Sequence, residues 1–497
     1  MTTISSLFKI LSCRDHVDYV LVLIVVTSIL WYFWLYANSK RRSPPLPPGP
    51  WGLPIVGNLP FLKPELHTYF QGLAKMHGPI FKLRFGSKLA IVVTSSEVAR
   101  EILRTNDVIF ANHDVPAVAI VNTYGGIDIP WSPYGPRFRM LRKLCVNKIL
   151  SNARMEKSVD LRRGETRRTV RYLADLARAG SPVDLGEQIF LMILNVVTQM
   201  LWGATVQEEE RELVGAEFSG LVQEMNDLLM EPNISDFFPM LSRFDLQGLA
   251  KRMRGPAQRM DRLFDRVINQ RLGMDKGHEG KGEDFLEVLL RIKNEDEKAD
   301  FNMNDVKALL MDMVLGGTDT SVHVIEFAMA ELLNKPDIMK RAQQELDEVV
   351  GKDKIVEEYH IPKLPYILAT MKETLRLHTV APLLNPHRPS QTTVVNGFTI
   401  PKDSKIFINV WAIQRNPDVW ENPLEFDPNR FLDKSYDFSG NDFNYIPFGS
   451  GRRICVGMAM GERVKVKVEE KFGITLKLKS PLVTTPVLRL ADPNLYL

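Results

Sequence analysis

The sequence predicts a mainly α-helical protein with small β-sheets, an α+β fold, preceded by one transmembrane helix. From about residue 97 to residue 376 the spacing of apolar residues is mostly helical. Short apolar or alternating segments bounded by turn residues lie on both sides of that region and are typical of hairpins. An uncharged stretch, residues 20–37, precedes all of them. These three observations together predict the fold class.

The uncharged stretch 20–37 predicts a membrane anchor, because about 20 apolar residues span a bilayer and aromatic residues favour its interface. Lys40, Arg41 and Arg42 follow, and by the positive-inside rule they keep the C-terminal side in the cytosol. A cleaved signal peptide, the alternative, needs a shorter apolar region and a small-residue cleavage site, and neither is visible. The predicted organisation is a short lumenal N-terminus (1–19), a single-pass anchor (20–37), a basic and Pro-rich hinge (38–50) and a cytosolic body (51–497).

The composition limits the classes of protein that the chain can belong to. Of its 497 residues 45% are hydrophobic, and the formal net charge is only +3, so nothing indicates a nucleic-acid partner. The three cysteines, Cys13, Cys145 and Cys455, are few and widely spaced. This cysteine usage fits a reducing compartment and excludes a disulfide framework.

Strands and loops can be placed within the body from turn residues. Residues 80–85 and 89–94 flank Gly86 and Ser87, which predicts a first hairpin. Asn396 and Gly397 divide residues 394–400 into a second hairpin, since Asn-Gly suits a type I′ turn. Residues 405–410 form another strand candidate, and residues 273–284, rich in glycine and charge, predict an exposed loop.

The segment 448–457, Phe-Gly-Ser-Gly-Arg-Arg-Ile-Cys-Val-Gly, places Cys455 among glycines and arginines. A thiolate ligand is stabilised by backbone N–H groups and cationic neighbours, which such a loop can offer. Gly449, Gly451 and Gly457 would let the backbone approach a flat cofactor closely. The alternative is a glycine-rich turn with an incidental cysteine.

Three other segments carry candidate functional residues. Gly316 and Gly317 weaken the helical run 306–333 and predict a kink beside Asp319 and Thr320, although such a glycine pair can also be a packing notch. Residues 372–376, Lys-Glu-Thr-Leu-Arg, place Glu373 and Arg376 on one helix face, where such a pair is usually a surface ion pair. Residues 426–431, Phe-Asp-Pro-Asn-Arg-Phe, contain Arg430.

In this order, behind an anchor and a proline-rich hinge, the four segments resemble the cytochrome P-450 superfamily. Their details resemble its plant A-type class, which makes specialised metabolites. The resemblance implies the cytochrome P-450 fold around haem b, with Cys455 as the iron ligand. The other roles it implies belong to Phe448 (packing beside the sulfur), Arg142, His387 and Arg453 (propionate contacts), Thr320 (a hydrogen bond to dioxygen), Asp319 (proton relay), and Glu373, Arg376 and Arg430 (a buried structural network). For His387, an ordinary loop histidine is an equal alternative.

The resemblance also implies an NADPH-dependent haem-thiolate monooxygenase of the endoplasmic reticulum membrane that hydroxylates a small apolar plant metabolite, a terpenoid or a flavonoid. NADPH-cytochrome P-450 reductase would supply the electrons, since no nucleotide-binding glycine fingerprint is evident in the chain. A haem-thiolate isomerase or dehydratase that uses no dioxygen is the alternative, but such relatives usually lose the hydroxyl that Thr320 provides.

Two features depart from the family pattern. Phe138 stands where members usually have Trp, so one donor to a propionate is lost. After Val464 the residues 465–471 alternate with period two, and about twenty residues of an expected helix, ~30 Å of it, are missing. Three competing explanations for this gap are a mis-joined gene model, a splice variant and a decaying duplicate. A shortened helix after residue 464 predicts weaker haem retention, so a haem-poor, catalytically impaired protein is a further alternative.

Overall fold

The computed structural model describes residues 44–203, 208–273, 284–295, 301–433, 436–460, 470–471, 475–478, 480–490 and 492–496, with single positions between 19 and 34. At those single positions the chain is helical, and apolar side chains such as Leu23, Leu30 and Trp34 are exposed. The rest of the predicted anchor, most of the predicted loop 273–284 and the predicted shortening after residue 464 lie outside the described residues.

Helices make up most of the described body, as the sequence predicts. In chain order they are α1 (Leu66–His77), α2 (Ser96–Arg100), α3 (Ala117–Asn122), α4 (Pro136–Leu144), α5 (Asn152–Lys157), α6 (Val159–Ala179), α7 (Leu185–Trp202), α8 (Glu208–Met230), α9 (Ile234–Phe237), α10 (Leu249–Gly273), α11 (Phe285–Glu295), α12 (Met303–Gly317), α13 (Asp319–Asn334), α14 (Pro336–Val349), α15 (Pro365–Leu377) and α16 (Val410–Ile413).

Small sheets supply the remaining regular structure. The strands are β1 (Ile80–Phe85), β2 (Lys88–Val93), β3 (Asn112–His113), β4 (Val183–Asp184), β5 (His387–Arg388), β6 (Thr393–Val395), β7 (Phe398–Ile400), β8 (Lys405–Ile408), β9 (Glu470–Lys471), β10 (Lys477–Leu478) and β11 (Val483–Thr484). Five of them form one sheet in the order β1-β2-β8-β5-β3, in which β2 and β8 are parallel. The α+β prediction is therefore confirmed.

Both predicted hairpins are present. Phe85 pairs with Lys88 across Gly86 and Ser87, which closes β1 onto β2. Asn396 and Gly397 both have positive φ, 47° and 75°, as a type I′ turn between β6 and β7 requires. The third predicted strand is β8, and its parallel pairing with β2 joins sequence-distant parts of the chain into one sheet.

The long central helix is divided into α12 and α13 at Thr318, where the sequence predicts a kink. A capping box begins α12. The Asn302 side chain accepts a hydrogen bond from the backbone of the first turn, and the Asp305 side chain accepts one from the Asn302 N–H. Thr318 stays in the right-handed helical region but is distorted, with φ −89° and ψ −76°. The adjacent glycines and the hydroxyl residues that follow weaken the helix at this point.

Among the described residues, α7 is the one helix that is long and apolar enough to cross a membrane. Its side chains are mostly buried, and Leu194, Val197 and Leu201 belong to the large core that also contains α8, α10 and α12. The apolarity of α7 therefore serves the protein core.

Candidate functional site

The loop around Cys455 is held by its own backbone. The Cys455 N–H donates to the Phe448 oxygen at 3.0 Å, which closes the predicted segment on itself and brings Phe448 next to the cysteine. Gly449 and Gly451 have φ of 73° and 67°, which favours glycine. A Cβ on Gly451 would lie 2.1 Å from the Leu103 oxygen, so only glycine fits this contact with the neighbouring helical turn.

The Cys455 side chain is exposed to solvent. The protein around the sulfur nevertheless raises the pKa of its thiol, because it removes water that would stabilise the thiolate. The Gly457 N–H donates to the sulfur at 3.3 Å, and both this bond and the charge of Arg142 oppose the rise in pKa. Direct coordination to a metal ion deprotonates a thiol outright, so a bound iron would complete the stabilisation of the thiolate.

Arg453 lies across the segment that runs from β3 to α4. Its guanidinium donates to the backbone oxygens of Ala111, Ile129 and Ser132, the second of these at 2.8 Å. It stacks over the Phe138 ring with 3.9 Å between the guanidinium carbon and the ring centroid. Burial lowers the pKa of Arg453 to about 10, which keeps it charged at neutral pH. The three carbonyls use three of its five N–H groups, so two can still serve a carboxylate such as a propionate.

His387 lies on β5, buried beside a second histidine that the sequence did not single out. Its Nδ1 is 2.8 Å from the Phe110 oxygen, and its ring centroid is 4.9 Å from that of His113. Burial lowers the pKa of His387 to about 4, with a further decrease from Arg453, so the ring is neutral. A neutral ring that donates Nδ1–H to a carbonyl offers only an acceptor at Nε2. This geometry favours the alternative of a buried structural histidine.

Two carboxyl groups, the buried Asp128 and the half-buried Asp312, were also missed from sequence. The Asp312 carboxylate accepts the Ile129 N–H at 2.8 Å, which joins α12 to the segment before α4, and Asp128 accepts the Trp131 N–H at 3.0 Å. Burial raises the pKa of Asp128 to about 7, and burial together with the charge of Asp128 raises that of Asp312 well above its usual range. The available signal was an aspartate inside the apolar pattern of residues 306–315.

The break between α12 and α13 carries the predicted oxygen-activation pair. The Thr320 hydroxyl donates to the Gly316 oxygen at 2.7 Å, and Ser321 donates to the Gly317 oxygen at 3.0 Å. A Cβ on Gly316 would meet no atom within 4 Å, so open space adjoins the helix at this point. Asp319 begins α13, and its Oδ1 is 3.5 Å from the Nε2 of His323.

The structure brings Glu373, Arg376 and Arg430 together, in the arrangement that the family resemblance implies. Arg376 donates from Nε and Nη2 to the two Glu373 carboxylate oxygens at 2.6 and 2.8 Å, and both side chains are fully buried. The Nε of Arg430 is 3.4 Å from the same carboxylate. Arg376 also donates to the backbone oxygens of Gln414, Pro423 and Glu425, at 2.9, 2.8 and 3.0 Å. The pair is therefore buried and structural, not a surface ion pair.

These residues fit a haem. In the part of the chain that the structure describes, no group of three or more His, Cys, Asp or Glu side chains could hold a metal ion. A porphyrin supplies four equatorial nitrogens, so its iron needs only one protein ligand, and the Cys455 loop offers a thiol with a neighbouring N–H group and a cation. Arg142 is half-buried and near enough to Cys455 for their charges to interact, so it adds a positive charge to the site.

Comparisons with known proteins agree with this geometry. Residues 47–468 match the family model described as Cytochrome P450. The chain is 39% identical to a flavonoid 3'-monooxygenase of Crocosmia x crocosmiiflora, over 94% of this chain and 98% of that protein. It is 36% identical to the 3,9-dihydroxypterocarpan 6A-monooxygenase of Glycine max (95% and 98%) and 36% identical to the geraniol 8-hydroxylase of Swertia mussotii (90% and 95%).

The fold also matches a solved structure. A zebra fish cytochrome P450 with progesterone superposes with a TM-score of 0.69, covering 86% of this chain and 100% of that one at 24% identity. At this level of identity the similarity shows a shared fold.

Proposed function

The chain belongs to the cytochrome P450 family, and we propose that it hydroxylates a small apolar plant metabolite of the flavonoid or terpenoid class. Membership makes it a haem-thiolate monooxygenase with haem b that receives electrons from NADPH through a reductase. The family and the enzyme class inferred from the sequence motifs are thus confirmed.

The substrate class rests on the relatives. Three of them are named for hydroxylation or monooxygenation of a flavonoid, a pterocarpan and geraniol. These are small molecules with a largely apolar skeleton, and most of their surface must be buried for binding. The proposal covers the class of substrate and leaves the position of the new hydroxyl group to experiment.

The reaction defines what the residues of this chain must do. Haem, when bound, supplies the iron that activates dioxygen. One oxygen atom enters a C–H bond of the substrate, and the other leaves as water with two electrons from NADPH and two protons. In this proposal Cys455 binds the iron, with Phe448 and Gly457 beside its sulfur, and Arg142 and Arg453 pair with the propionates, while His387 keeps its structural place at the Phe110 oxygen. Thr320 and Asp319 would then transfer the two protons.

Localisation follows from the N-terminal segment. We propose that residues 20–37 anchor the protein in the endoplasmic reticulum membrane, with NADPH-cytochrome P-450 reductase docking from the cytosol. Apolar side chains described in this stretch, such as Leu23 at 64% and Trp34 at 59%, are exposed, as contact with lipid requires.

The single observation that carries the proposal is the exposed Cys455 thiol, which accepts the Gly457 N–H. The carbon monoxide difference spectrum of the reduced, full-length protein tests it first. We expect the Soret band of a thiolate-ligated haem, and we expect the Cys455→Ser variant to lose that band. A wild-type protein without the band would support the haem-poor alternative.

Turnover tests the substrate class. The protein reconstituted with a plant reductase, NADPH and dioxygen should convert a flavonoid or a monoterpenol such as geraniol to a product heavier by one oxygen atom. A product of unchanged composition, or one formed without NADPH, would support the isomerase or dehydratase alternative. Absence of a hydroxylated product from both classes, in a protein with a normal spectrum, would reject the proposed substrates.

A further inference from the structure

One face of α13 carries three ionisable side chains in succession. Asp319, His323 and Glu326 are four and three residues apart, a spacing that aligns side chains along a helix. Only 4% of His323 and 8% of Glu326 is exposed, and 19% of the Asp319 side chain is exposed. Buried ionisable groups cost free energy unless they find partners. The roles assigned so far use Asp319 and leave the other two unexplained.

His323 is in contact with Asp319 on one side only. Its Nε2 is 3.5 Å from Asp319 Oδ1. Its Nδ1 is buried and has no hydrogen-bond partner among the described residues. Buried polar atoms of this kind are uncommon, and in a native protein each usually marks a bound water or a catalytic role. An imidazole with one nitrogen at a carboxylate and the other available can pass a proton through its ring.

Glu326 extends the line away from Asp319. A Cβ placed on Gly186 would lie 2.1 Å from Glu326 Oε1 and 3.4 Å from Asp184 Oδ1, so both carboxyl groups adjoin the N-terminus of α7. Asp184 caps that helix by accepting the Glu187 N–H at 3.1 Å. Burial, followed by the charges of Asp184 and Asp319, raises the pKa of Glu326 to about 7. Glu326 can therefore take up and release a proton near neutral pH.

The neighbouring elements supply few other charges. From β10, Lys477 acts on both His323 and Glu326, and its side chain is 29% exposed and lies 3.4 Å from Asp227. From β4, at the N-cap of α7, the acting charge is Asp184. Burial lowers the pKa of His323, Lys477 lowers it further, and Asp319 opposes this, so the resting ring is neutral. Further along α13, Glu331 is 3.0 Å from His378, just past the end of α15.

We propose that Asp319, His323 and Glu326 form a proton-transfer line along α13, which supplies the groove at Thr320 with protons from the surface near Asp184 and Lys477. This inference rests on the proposed monooxygenase function, because that reaction consumes two protons for each product. His323 and Glu326 would act through Asp319 as positioning residues.

Each step along the line transfers one proton and no electrons. The Asp319 carboxylate takes up a proton from His323 and gives it into the groove beside Thr320, which restores the carboxylate. His323 donates its Nε2 proton to Asp319 while Nδ1 accepts one from Glu326 through one bridging water. Glu326 then regains a proton from solvent, and exchange with solvent resets the histidine tautomer.

The amount of product formed per NADPH consumed, called the coupling, tests the proton-transfer line during turnover. The variants are His323→Gln and Glu326→Gln in the full-length protein with reductase. The matched control is His360→Gln, a buried histidine of the segment Glu358–Lys363 outside α13.

We expect both line variants to lower the product formed per NADPH about tenfold, release more hydrogen peroxide and show a larger solvent isotope effect. For wild type we expect coupling to decline as pH rises through about 7, and we expect both line variants to lose this decline. Coupling and pH profiles equal to those of the control would overturn the proposal.

A second measurement needs neither substrate nor turnover. Infrared difference spectra of the resting protein should contain a protonated-carboxyl band that is absent from Glu326→Gln and titrates near pH 7. A Glu326 carboxyl that is fully ionised at pH 6 would overturn the line. If that band titrates as expected while no substrate is hydroxylated, the proposed function fails and the protonation of the line stands.

Discussion

Among single residues, Glu373 and Arg376 form a buried ion pair that supports the fold. Both side chains are fully buried, and five hydrogen bonds from Arg376 reach the carboxylate and three backbone oxygens. Another backbone donor, the Asp427 N–H, reaches Glu373 at 2.8 Å. Removing one charge leaves the other buried without compensation, and that penalty exceeds the net stabilisation from the pair itself.

We therefore predict that Glu373→Gln lowers the free energy of unfolding by about 3–5 kcal/mol. Urea unfolding of the purified protein measures this quantity. The matched control is Glu231→Gln, which removes a carboxylate paired with Arg252 in a contact where both side chains are exposed, 41% and 55%. The control should change stability by less than about 1 kcal/mol. Equal losses in the two variants would show that burial of the Glu373 pair has no special cost.

Between elements, Asp128 and Asp312 join the segment before α4 to the central helix α12. Burial holds the pKa of Asp128 at about 7 in the folded protein, whereas in an unfolded chain an aspartate has a pKa of ~3.9. Between these two pH values the folded protein binds a proton that the unfolded chain has released. Stability contributed at low pH is then lost as pH rises toward 7.

The Asp128→Asn variant stays neutral at every pH and should escape this loss. We expect it to be more stable than wild type by about 1–4 kcal/mol above pH 7, and equally stable at about pH 4. Thermal unfolding across that pH range measures the difference. Asp175→Asn, which alters an exposed aspartate beside Arg178, is the control and should leave the pH dependence unchanged. An Asp128→Asn protein with the wild-type pH dependence would contradict the assignment.

On the scale of the whole molecule, the anchor and the catalytic body are separable in sequence. The proline-rich residues 44–50 of the hinge precede the body, and Thr399 on β7 donates its backbone N–H to the Pro45 oxygen at 2.8 Å. The hinge is therefore tied to the small sheets of the body. Deletion of residues 1–43 removes the predicted anchor and leaves these contacts in place.

We predict that this deletion moves the protein from the membrane pellet to the soluble fraction and retains the thiolate-type carbon monoxide spectrum. Fractionation of expressing cells followed by spectroscopy measures both properties. A full-length variant with Lys40, Arg41 and Arg42 changed to Gln is the companion, and it should remain in membranes while its orientation becomes mixed. Retention of the shortened protein in the pellet would point to a second membrane-binding surface.

Local signals in the sequence determined the Cys455 loop, the break before Asp319, the two hairpins and the helix face shared by Glu373 and Arg376. Each depends on glycine geometry, on turn chemistry or on a spacing of three or four residues, so neighbouring positions are sufficient to predict it. The tertiary structure alone decided that Arg453 stacks on Phe138, that His113 lies beside His387 and that Asp312 meets the segment at Ile129. It also placed Glu326 against Gly186. These contacts join residues far apart in the chain, and burial and charge there depend on the packing of elements that no local pattern specifies.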